Sequence, residues 1–327
     1  MLNHRYRPRF WDDDNGLSQL LVPLAVVWNA ITKIRMGLGT PWRAPVPVIC
    51  VGNLVLGGAG KTPLAITLAR HLIATGHTPH FLSRGYGGRE PGPIRVDPQN
   101  HDAGAVGDEP LLLAAVAPTW VARNRPAGAR MACAAGADVI IMDDGFQNPS
   151  LAKDISVLAI DGGYGFGNQR VMPAGPLRER LGTGLWRADA AVVIGSDATG
   201  ALNGIQQYCP VHKAHLAPRP NDAITGKQVF AFAGIGRPEK FYATLRQIGC
   251  TVTATKDFPD HHPYTPGQII QLCEDAAALD AIPVTTEKDY VRLPDDAKTM
   301  IHVLRVELEW TDPAAANQIL EKISSNG

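Results

Sequence analysis

Residues 48–63 read VICVGNLVLGGAGKTP, an apolar strand that runs into a glycine-rich turn and then into a helix. The turn is similar to the phosphate-binding loop G-x-x-x-x-G-K-[ST], because Gly60, Lys61 and Thr62 supply its end, although Val55 stands at the first glycine position. Backbone N–H groups of such a loop, at the N-terminus of a helix, cradle phosphate oxygens. The stretch therefore predicts a nucleotide site on a parallel α/β sheet.

The side chains of this loop have separate expected roles. Lys61 is expected to reach the β- and γ-phosphates, and the Thr62 hydroxyl to ligate Mg²⁺. The alternative is a strand-to-helix turn with a chance G-K-T, but the strand and the helix that the motif requires both flank it. The residues expected to surround the phosphates are Gly57, Gly58, Ala59, Gly60, Lys61, Thr62 and Pro63.

A second motif, 138-DVIIMDDGFQ-147, is an apolar strand that ends in two carboxylates. A carboxylate fixed at the end of a buried strand suits a magnesium site beside a phosphate loop. Asp143 is the first candidate and Asp144 the second, because adjacent strand residues point to opposite faces and only one can point straight at the metal. The alternative, that one aspartate only caps a helix, is disfavoured by the presence of the phosphate loop.

The rest of the chain alternates strands with helices, which predicts parallel sheets with helices on both faces. A Pro-rich polar stretch at 209–228 interrupts the alternation, which then restarts. We predict an α/β fold: a P-loop NTPase-like parallel sheet domain joined to a second, smaller α/β domain by a short two-stranded linker. The predicted segments are the first domain at 1–208, a linker at 209–225, the smaller domain at 226–300, and a return strand with a terminal helix at 301–327.

Composition and charge exclude some classes of protein for this chain. The 327 residues are 45% hydrophobic and 19% charged, which is typical of a globular chain with a buried core. Lys plus Arg total 31, as do Asp plus Glu, so no net field favours nucleic acid as a partner. Five cysteines without a C-x-x-C pair argue against a disulfide framework and favour a reducing cytoplasm.

An apolar stretch, 17-LSQLLVPLAVVWNAITKIRMGL-38, follows three aspartates near the N-terminus. Acidic residues before the run do not suit a secretory signal, and the run falls short of the roughly 20 apolar residues of a spanning helix. Its apolar residues recur at helical spacing. Two interpretations remain open: a helix that packs on the core, or an interfacial helix with Trp11, Trp28 and Trp42 near the lipid headgroups.

The segment 107-GDEP-110 places two carboxylates at the start of a predicted helix. Helix capping is one explanation. The other is catalytic, because transfer of a phosphoryl group to an alcohol needs a group that orients and deprotonates the attacking hydroxyl. Asp108 is the candidate for that task, and Glu109 is a candidate ligand of Mg²⁺, directly or through water.

Further polar groups occur in the predicted second domain and in two turns. Asp260, His261 and His262 form a metal cluster, an acid/base pair brought in by domain closure, or a surface turn between prolines. The segment 285-TTEKD-289 supplies either polar cleft groups (Thr286, Lys288, Asp289) or a plain helix start. The turns 83-SRGYGG-88 and 173-PAGPLRE-179 offer Arg84, Tyr86 and Arg178, which contact phosphate or remain on the surface.

Taken together, these segments resemble the tetraacyldisaccharide 4'-kinase family, the lipid A 4'-kinases of Gram-negative bacteria. Their order and rough spacing match over nearly the whole chain. A phosphate loop alone is unspecific, but its combination with an R-G-Y-G turn, D-D-G-F-Q and D-H-H is highly specific. The motifs are 51-VGNLVLGGAGKTP-63, 83-SRGYGG-88, 107-GDEP-110, 143-DDGFQ-147, 173-PAGPLRE-179, 231-AFAGIGRPEKF-241, 257-DFPDHH-262 and 285-TTEKDYVRL-293.

The resemblance implies a reaction and its location. Such enzymes transfer the γ-phosphate of ATP to the 4'-hydroxyl of a tetraacylated glucosamine disaccharide 1-phosphate, which gives lipid IVA in lipid A biosynthesis. ATP and Mg²⁺ are the implied cofactors. The implied partners are this lipid and the cytoplasmic face of the inner membrane, which the helix at 17–38 reaches. Neither nucleic acid nor an obligate protein partner is implied.

Motif matching also implies roles for single residues. Asp108 matches the base on the 4'-hydroxyl, and His261 its partner from the second domain. Lys61 matches the ligand of the β- and γ-phosphates. The residues implied to serve Mg²⁺ are Thr62, Glu109 and Asp143, and those implied to support the substrate site are Tyr86, Asp144, Gln147 and Arg178. Val55 is no departure from the family, whereas Ala59 stands where a hydroxyl residue is often found.

Two other classes of protein compete with this interpretation. A soluble P-loop ligase or small-molecule kinase has no reason to carry an exposed apolar N-terminal helix. A nucleotide-switch NTPase hydrolyses with water and needs no base from a second closing domain, so the roles of Asp108 and His261 discriminate against it. The sequence also lacks an N-K-x-D-like segment that would read guanine.

Overall fold

The computed structural model describes residues 8–37 and 39–324. Parts of three predicted segments lie outside these ranges: residues 1–7 of the first domain, Leu38 of the N-terminal helix, and residues 325–327 of the terminal segment. The strands are β1 Val48–Gly52, β2 Pro79–Ser83, β3 Ile94–Arg95, β4 Thr119–Val121, β5 Val139–Asp143, β6 Ile155–Asp161, β7 Ala190–Ile194, β8 Val211–Pro218, β9 Gln228–Ala233, β10 Thr251–Asp257, β11 Ile282–Thr286, β12 His302–Leu304 and β13 Val306–Trp310. The helices are α1 Gly16–Leu20, α2 Val22–Gly37, α3 Lys61–Ala74, α4 Ala103–Val106, α5 Asp108–Ala114, α6 Arg125–Ala134, α7 Leu181–Leu185, α8 Pro238–Gln247, α9 Pro266–Ala278, α10 Glu287–Tyr290 and α11 Ala315–Ser324.

A nine-stranded sheet in the order β13-β8-β7-β6-β1-β5-β2-β4-β3 forms the larger part of the fold. Its strands from β8 to β4 pair in parallel, and the two edge strands β13 and β3 are antiparallel to their neighbours. Every residue of β1, β2, β5, β6 and β7 is buried, as expected when helices cover both faces. The carboxyl ends of these parallel strands share one edge of the sheet, where ligands of open α/β sheets bind.

A separate four-stranded parallel sheet has the order β10-β9-β11-β12. We call the part built on the nine-stranded sheet (residues 8–218 and 306–324) the large lobe, and the part built on this sheet (residues 219–305) the small lobe. The predicted α/β class, with a large parallel sheet and a smaller second α/β unit, is confirmed.

The return strand predicted within residues 301–327 is not one strand. His302–Leu304 pairs with β11 in the small sheet, whereas Val306–Trp310 pairs antiparallel with β8, so the chain changes sheets at Arg305. The predicted two-stranded linker corresponds to this antiparallel pair of β8 with β13. It is not an isolated linker, because the other side of β8 pairs with β7 and extends the large sheet.

The predicted helix at 17–38 is divided into α1 and α2 around Leu21. Pro23 explains the division, because it has no N–H to donate to the carbonyl of residue 19. Of its residues, Ser18, Ala25 and Thr32 are buried. The large side chains face outward: Leu17, Leu20, Leu24, Val26, Val27, Trp28, Ile31 and Ile34 are all at least 42% exposed.

The apolar stripe of these two helices is thus not the face that packs on the core, contrary to the first interpretation of its spacing. Within residues 17–37, the hydrophobic residues that lie partly buried against the main hydrophobic cluster are Leu21 and Val22, next to the buried Ala25. Within the described residues, no helix has the length and apolar character needed to span a membrane.

Candidate active site

The turn between β1 and α3 has the backbone shape expected of a phosphate loop. Gly60 is the N-cap of α3 with φ +80°, a left-handed conformation that favours glycine. A Cβ at this position would lie 2.5 Å from Ile194 Cδ1, so close packing against β7 also favours glycine. The Asn53 side chain donates to the Gly57 carbonyl at 3.2 Å and closes the loop. The first N–H groups of α3, which have no partner within the helix, are thus available to an anion.

Strand β5 carries Asp143 to the same edge of the sheet. Thr62 Oγ1 donates to Asp143 Oδ2 at 3.2 Å, whereas the buried Asp143 Oδ1 has no hydrogen-bond partner among the described residues. Burial, and then the negative charge of Glu109, raise the pKa of Asp143 from 3.8 to about 7. The protein alone therefore stabilises the ionised form of Asp143 poorly.

The adjacent Asp144 has the opposite environment. Its φ of +51° turns the chain away from the strand, and its carboxylate accepts from both terminal nitrogens of Arg178 at 2.8 and 3.1 Å. The buried Lys61 ammonium lies 3.9 Å away. Burial alone would raise the pKa of Asp144, but the charges of Lys61 and Arg178 outweigh it and leave the pKa lowered. Asp144 therefore balances the site's cations, whereas Asp143 faces Thr62.

A polar network fixes the predicted residues Gln147 and Arg178. Gln147 accepts from Arg178 at 3.3 Å and donates to the Asn53 carbonyl and to Glu179 Oε1, each at 3.0 Å. The buried Glu179 carboxylate accepts from Arg187 at 2.5 and 2.6 Å. The sequence assigned no role to Glu179 or Arg187. Arg187 stands in none of the motifs, so only the fold reveals it.

Asp108 meets the small lobe at the start of α5. It is 3% exposed, and its Oδ2 lies 2.8 Å from His261 Nδ1 and 3.4 Å from Arg292 Nε. Its Oδ1 accepts from the backbone N–H of Glu109 at 2.9 Å. Burial would raise the pKa of Asp108, but the hydrogen bond from His261 and the charges of Lys288 and Arg292 outweigh it and leave the pKa lowered. Asp108 is therefore ionised near neutral pH.

His261 is held at this contact from several sides. Its φ is +59°, so the backbone adopts a strained left-handed conformation that presents the ring to the large lobe. Its Nε2 lies 3.5 Å from Lys288 Nζ, and Lys288 in turn lies 3.5 Å from Glu109 Oε1. The exposed Tyr86 ring lies 5.4 Å from the imidazole, centroid to centroid. Tyr86, Asp108, Glu109, Lys288 and His261 thus meet between the two lobes.

Arg292 organises the small-lobe side of this contact, and sequence analysis assigned it no role. The side chain is 5% exposed. Its guanidinium donates to the carbonyls of Gly234, His262 and Lys288 at 3.0, 3.2 and 2.9 Å. The sequence contains a signal for this residue, because Arg292 lies in the motif at 285–293. The neighbouring residues, however, do not show that its side chain turns back toward position 261.

Several candidate residues are not part of the site. His262 stacks on Phe258 with centroids 4.7 Å apart and contacts Gln268, so it points away from His261. The metal cluster considered for Asp260, His261 and His262 is not formed: among residues 8–37 and 39–324, no group of three or more His, Cys, Asp or Glu side chains is arranged to hold a metal.

The segment 285–289 serves two purposes. Thr286 is the N-cap of α10 and accepts from the Asp289 N–H at 3.1 Å. Asp289 is fully buried and accepts from the Gly234 N–H and the Tyr264 hydroxyl. These two residues are structural, whereas Lys288 faces the cleft. Arg84 is exposed.

The family model and the relatives that match this chain carry the same description. The family model for tetraacyldisaccharide-1-P 4'-kinase matches residues 17–324. A tetraacyldisaccharide 4'-kinase of Rhodospirillum centenum is 52% identical over 325 residues, covering 97% of this chain and 96% of the relative. One of Paramagnetospirillum magneticum is 52% identical over 318 residues, covering 97% of this chain and 98% of the relative.

Among solved structures, the fold is similar to LpxK from Aquifex aeolicus in complex with ATP. The TM-score is 0.75 at 27% sequence identity, and the match covers 94% of this chain and 99% of that chain.

Proposed function

The chain belongs to the tetraacyldisaccharide-1-P 4'-kinase family, and on this premise we propose how its residues carry out the reaction. The protein is a kinase that transfers the γ-phosphate of ATP to the 4'-hydroxyl of tetraacyldisaccharide 1-phosphate and forms lipid IVA in lipid A biosynthesis. The contact of Asp108 with His261 between the lobes, on the same sheet edge as Lys61, carries the assignment of roles.

Asp108 and His261 act as one unit on the 4'-hydroxyl. Asp108 is the acceptor that orients the hydroxyl and takes its proton, and His261 donates its Nδ1–H to Asp108 Oδ2 and so holds that carboxylate in position. The lowered pKa of Asp108 keeps the carboxylate ionised and ready to accept. A weak base suffices, because the transition state of phosphoryl transfer is loose and the nucleophile loses its proton late.

Lys61 and Arg178 supply positive charge where the transferred group develops negative charge. Both contact Asp144, which keeps two cations side by side at the phosphate loop. Gln147 holds Arg178 against the loop. Tyr86, exposed beside His261, is available to the sugar ring of the acceptor.

The donor set around Asp143 fits Mg²⁺. The unpartnered Asp143 Oδ1, the Thr62 hydroxyl and the Glu109 carboxylate are hard oxygen ligands, and Mg²⁺ in kinases is held by one or two carboxylates together with substrate phosphates. When bound, Mg²⁺ would neutralise charge on the ATP phosphates. A cation there would also stabilise the ionised form of Asp143, whose pKa burial raises to about 7.

The large and small lobes are proposed to be two domains that move as units. The chain passes between them twice, after β8 and at Arg305, and these crossings adjoin the antiparallel β8–β13 pair. The catalytic pair draws one residue from each lobe, so their relative position controls whether the site is complete.

The exposed face of α1 and α2 is proposed to lie on the cytoplasmic surface of the inner membrane. A row of half-exposed leucine, valine and isoleucine side chains faces outward, and Trp28 lies among them. Lys33 and Arg35 near the end of α2 are suited to anionic headgroups. The substrate of this kinase is a lipid, so a helix that rests at the interface brings the site to it.

The assay that tests these roles measures transfer of labelled γ-phosphate from ATP and Mg²⁺ to tetraacyldisaccharide 1-phosphate in detergent micelles. We expect Asp108→Ala to reduce turnover by about 100-fold or more, the usual range for loss of a general base, with ATP affinity retained. Lys61→Ala should reduce transfer through loss of charge stabilisation. Parallel loss of ATP binding in Asp108→Ala would contradict the base assignment.

One outcome would favour a different function. If folded wild-type protein hydrolyses ATP with water but does not phosphorylate the lipid, a nucleotide-switch activity explains the phosphate loop better. His261→Gln then has no effect on hydrolysis, whereas a kinase loses transfer in the same variant.

A further inference from the structure

A second contact between the lobes lies on the other side of the phosphate loop. Asp161 ends β6, and its side chain is 8% exposed. It accepts from Arg237 Nη1 at 2.8 Å and from Lys240 Nζ at 2.6 and 2.7 Å. Both cations come from the start of α8 in the small lobe. One large-lobe carboxylate therefore joins two small-lobe cations.

The order of strands places this contact opposite the Asp108–His261 pair. In the large sheet, β6 is the neighbour of β1 on one side, and β5, β2 and β4 follow on the other. The phosphate loop leaves β1, and α5, which begins with Asp108, packs against β2 and β4. The small lobe thus contacts the large lobe on both sides of β1, the strand that carries the phosphate loop.

The local sequence does not favour two cations at the start of α8. Positive side chains at a helix N-terminus oppose the helix dipole, and Arg237 makes no capping hydrogen bond there. Glu239 offsets this only in part, through a 3.3 Å contact with Arg237 Nε. A buried carboxylate likewise requires partners, and the cations that it finds belong to the other lobe. Within its own lobe Asp161 accepts from the Gly163 N–H at 2.9 Å, but its two cationic partners are present only when the lobes are together.

We propose that Asp161, Arg237 and Lys240 form an electrostatic latch that holds the small lobe closed over the phosphate loop and so positions His261 against Asp108. These three are positioning residues. Arg237 and Lys240 are 30% and 47% exposed, so water can reach them and the latch can open between turnovers. The inference rests on the proposed role of His261 and adds the device that brings it into place.

The test compares the latch variant Arg237→Gln/Lys240→Gln with the swap Arg237→Lys/Lys240→Arg, which retains both charges. Arg246→Gln is the matched control, because Arg246 is exposed near the other end of α8. Spin labels on Met131→Cys and Ile270→Cys report the distance between the lobes, since these positions are 44% and 53% exposed. Half-buried Cys133 and Cys273 are replaced by Ala in the labelled protein. Thermal melts check that each variant folds.

With a non-hydrolysable ATP analogue and Mg²⁺ present, we expect the latch variant to shift the equilibrium toward longer distances by about tenfold. The KM values should rise by a similar factor with kcat largely retained, because saturating substrates restore closure. The swap and the Arg246→Gln control should behave like wild type. Higher ionic strength should lengthen the distances in wild type but not in the latch variant.

The proposal is overturned if the latch variant has wild-type distances and KM, or if the swap is as impaired as the latch variant. A fall in kcat at unchanged distance would also count against it. The distance measurement needs no turnover, so it separates this inference from the proposed function. If the inter-lobe distance lengthens in the latch variant but the wild-type protein does not phosphorylate the lipid, the latch is supported and the catalytic roles proposed for the kinase reaction are rejected.

Discussion

Replacing Asp143 by Asn should stabilise the metal-free protein at high pH while removing kinase activity. Asp143 is 1% exposed, and burial is the main cause of its rise in pKa from 3.8 to about 7. Such a rise means that ionising the carboxyl in the folded protein costs about 4 kcal/mol relative to the unfolded chain. Asn has the same shape without the charge, so it avoids this cost.

The sign of the pH dependence follows from proton linkage. Between the ordinary pKa of 3.8 and the folded value of about 7, the folded protein binds the proton that the unfolded chain has released. The stability of wild type therefore falls as pH rises through this window, and the full cost is present above pH 7. From pH 5.5 to pH 8.5 the advantage of Asp143→Asn should grow by about 2 kcal/mol, or roughly 4 °C in Tm.

The assay is thermal unfolding of both proteins in EDTA at the two pH values, then with Mg²⁺ and ATP. Mg²⁺ should stabilise wild type more than the variant, because the variant lacks the anionic ligand. Asp144→Asn is the matched control with the opposite sign, since Lys61 and Arg178 stabilise the Asp144 carboxylate. Destabilisation of Asp143→Asn at pH 8.5, or an offset in Tm that does not change with pH, would refute the reasoning.

Three further predictions rest on single contacts. Gly60→Ala should lower stability by about 2 kcal/mol and weaken ATP binding, because φ is +80° and the new Cβ lies 2.5 Å from Ile194 Cδ1. Calorimetry with ATP measures this, and the control Gly267→Ala in α9, whose Cβ meets nothing within 4 Å, should leave ATP binding unchanged and should not lower stability. Leu24→Gln/Ile31→Gln should weaken binding to anionic vesicles about 30-fold, since two side chains that are 58% and 59% exposed lose about 1 kcal/mol each of transfer free energy. Cosedimentation with the vesicles tests this. Equal weakening by Ile270→Gln, a residue exposed on the small lobe, would exclude α2 as the specific contact. Glu179→Gln should destabilise the protein by about 2 kcal/mol, because it removes the charge that pairs with Arg187, and denaturant unfolding that matches wild type would show that the pair contributes nothing.

Much of the large lobe could be predicted because its signals are local. The strand, glycine turn and helix at 48–63 follow from apolar runs and from residues that permit a tight turn, and the carboxylates at 143–144 follow directly from another apolar strand. Parallel pairing then brings strand ends to one edge of the sheet whatever the intervening loops contain. The sequence alone could therefore nominate Lys61, Thr62 and Asp143 as candidate residues at one edge of the sheet.

The sequence could not show which way polar side chains point after a turn. His261 and His262 are adjacent and chemically equal, but the backbone at 261 directs one ring to Asp108 and the other onto Phe258. In the same way, helical spacing identified an apolar stripe at 17–34 but not whether it faces the core or the solvent. Periodicity gives the faces of a helix, and only its neighbours decide which face is buried.

The sequence by itself determined the α/β class, and it predicted the phosphate loop and the chemical types of the candidate site residues, because each depends on a few neighbouring positions. Tertiary structure alone decided the partners across the chain: Arg292 with Asp108, Arg187 with Glu179, and Asp161 with Arg237 and Lys240. It also decided that the chain changes sheets at Arg305. Arg187 and Glu179 are only eight residues apart, but they meet through the fold of the large lobe and through no local motif. Asp108 and Arg292, like Asp161 and its two cations, lie far apart in sequence, and only the packing of the two lobes makes their attraction outweigh the cost of burying them.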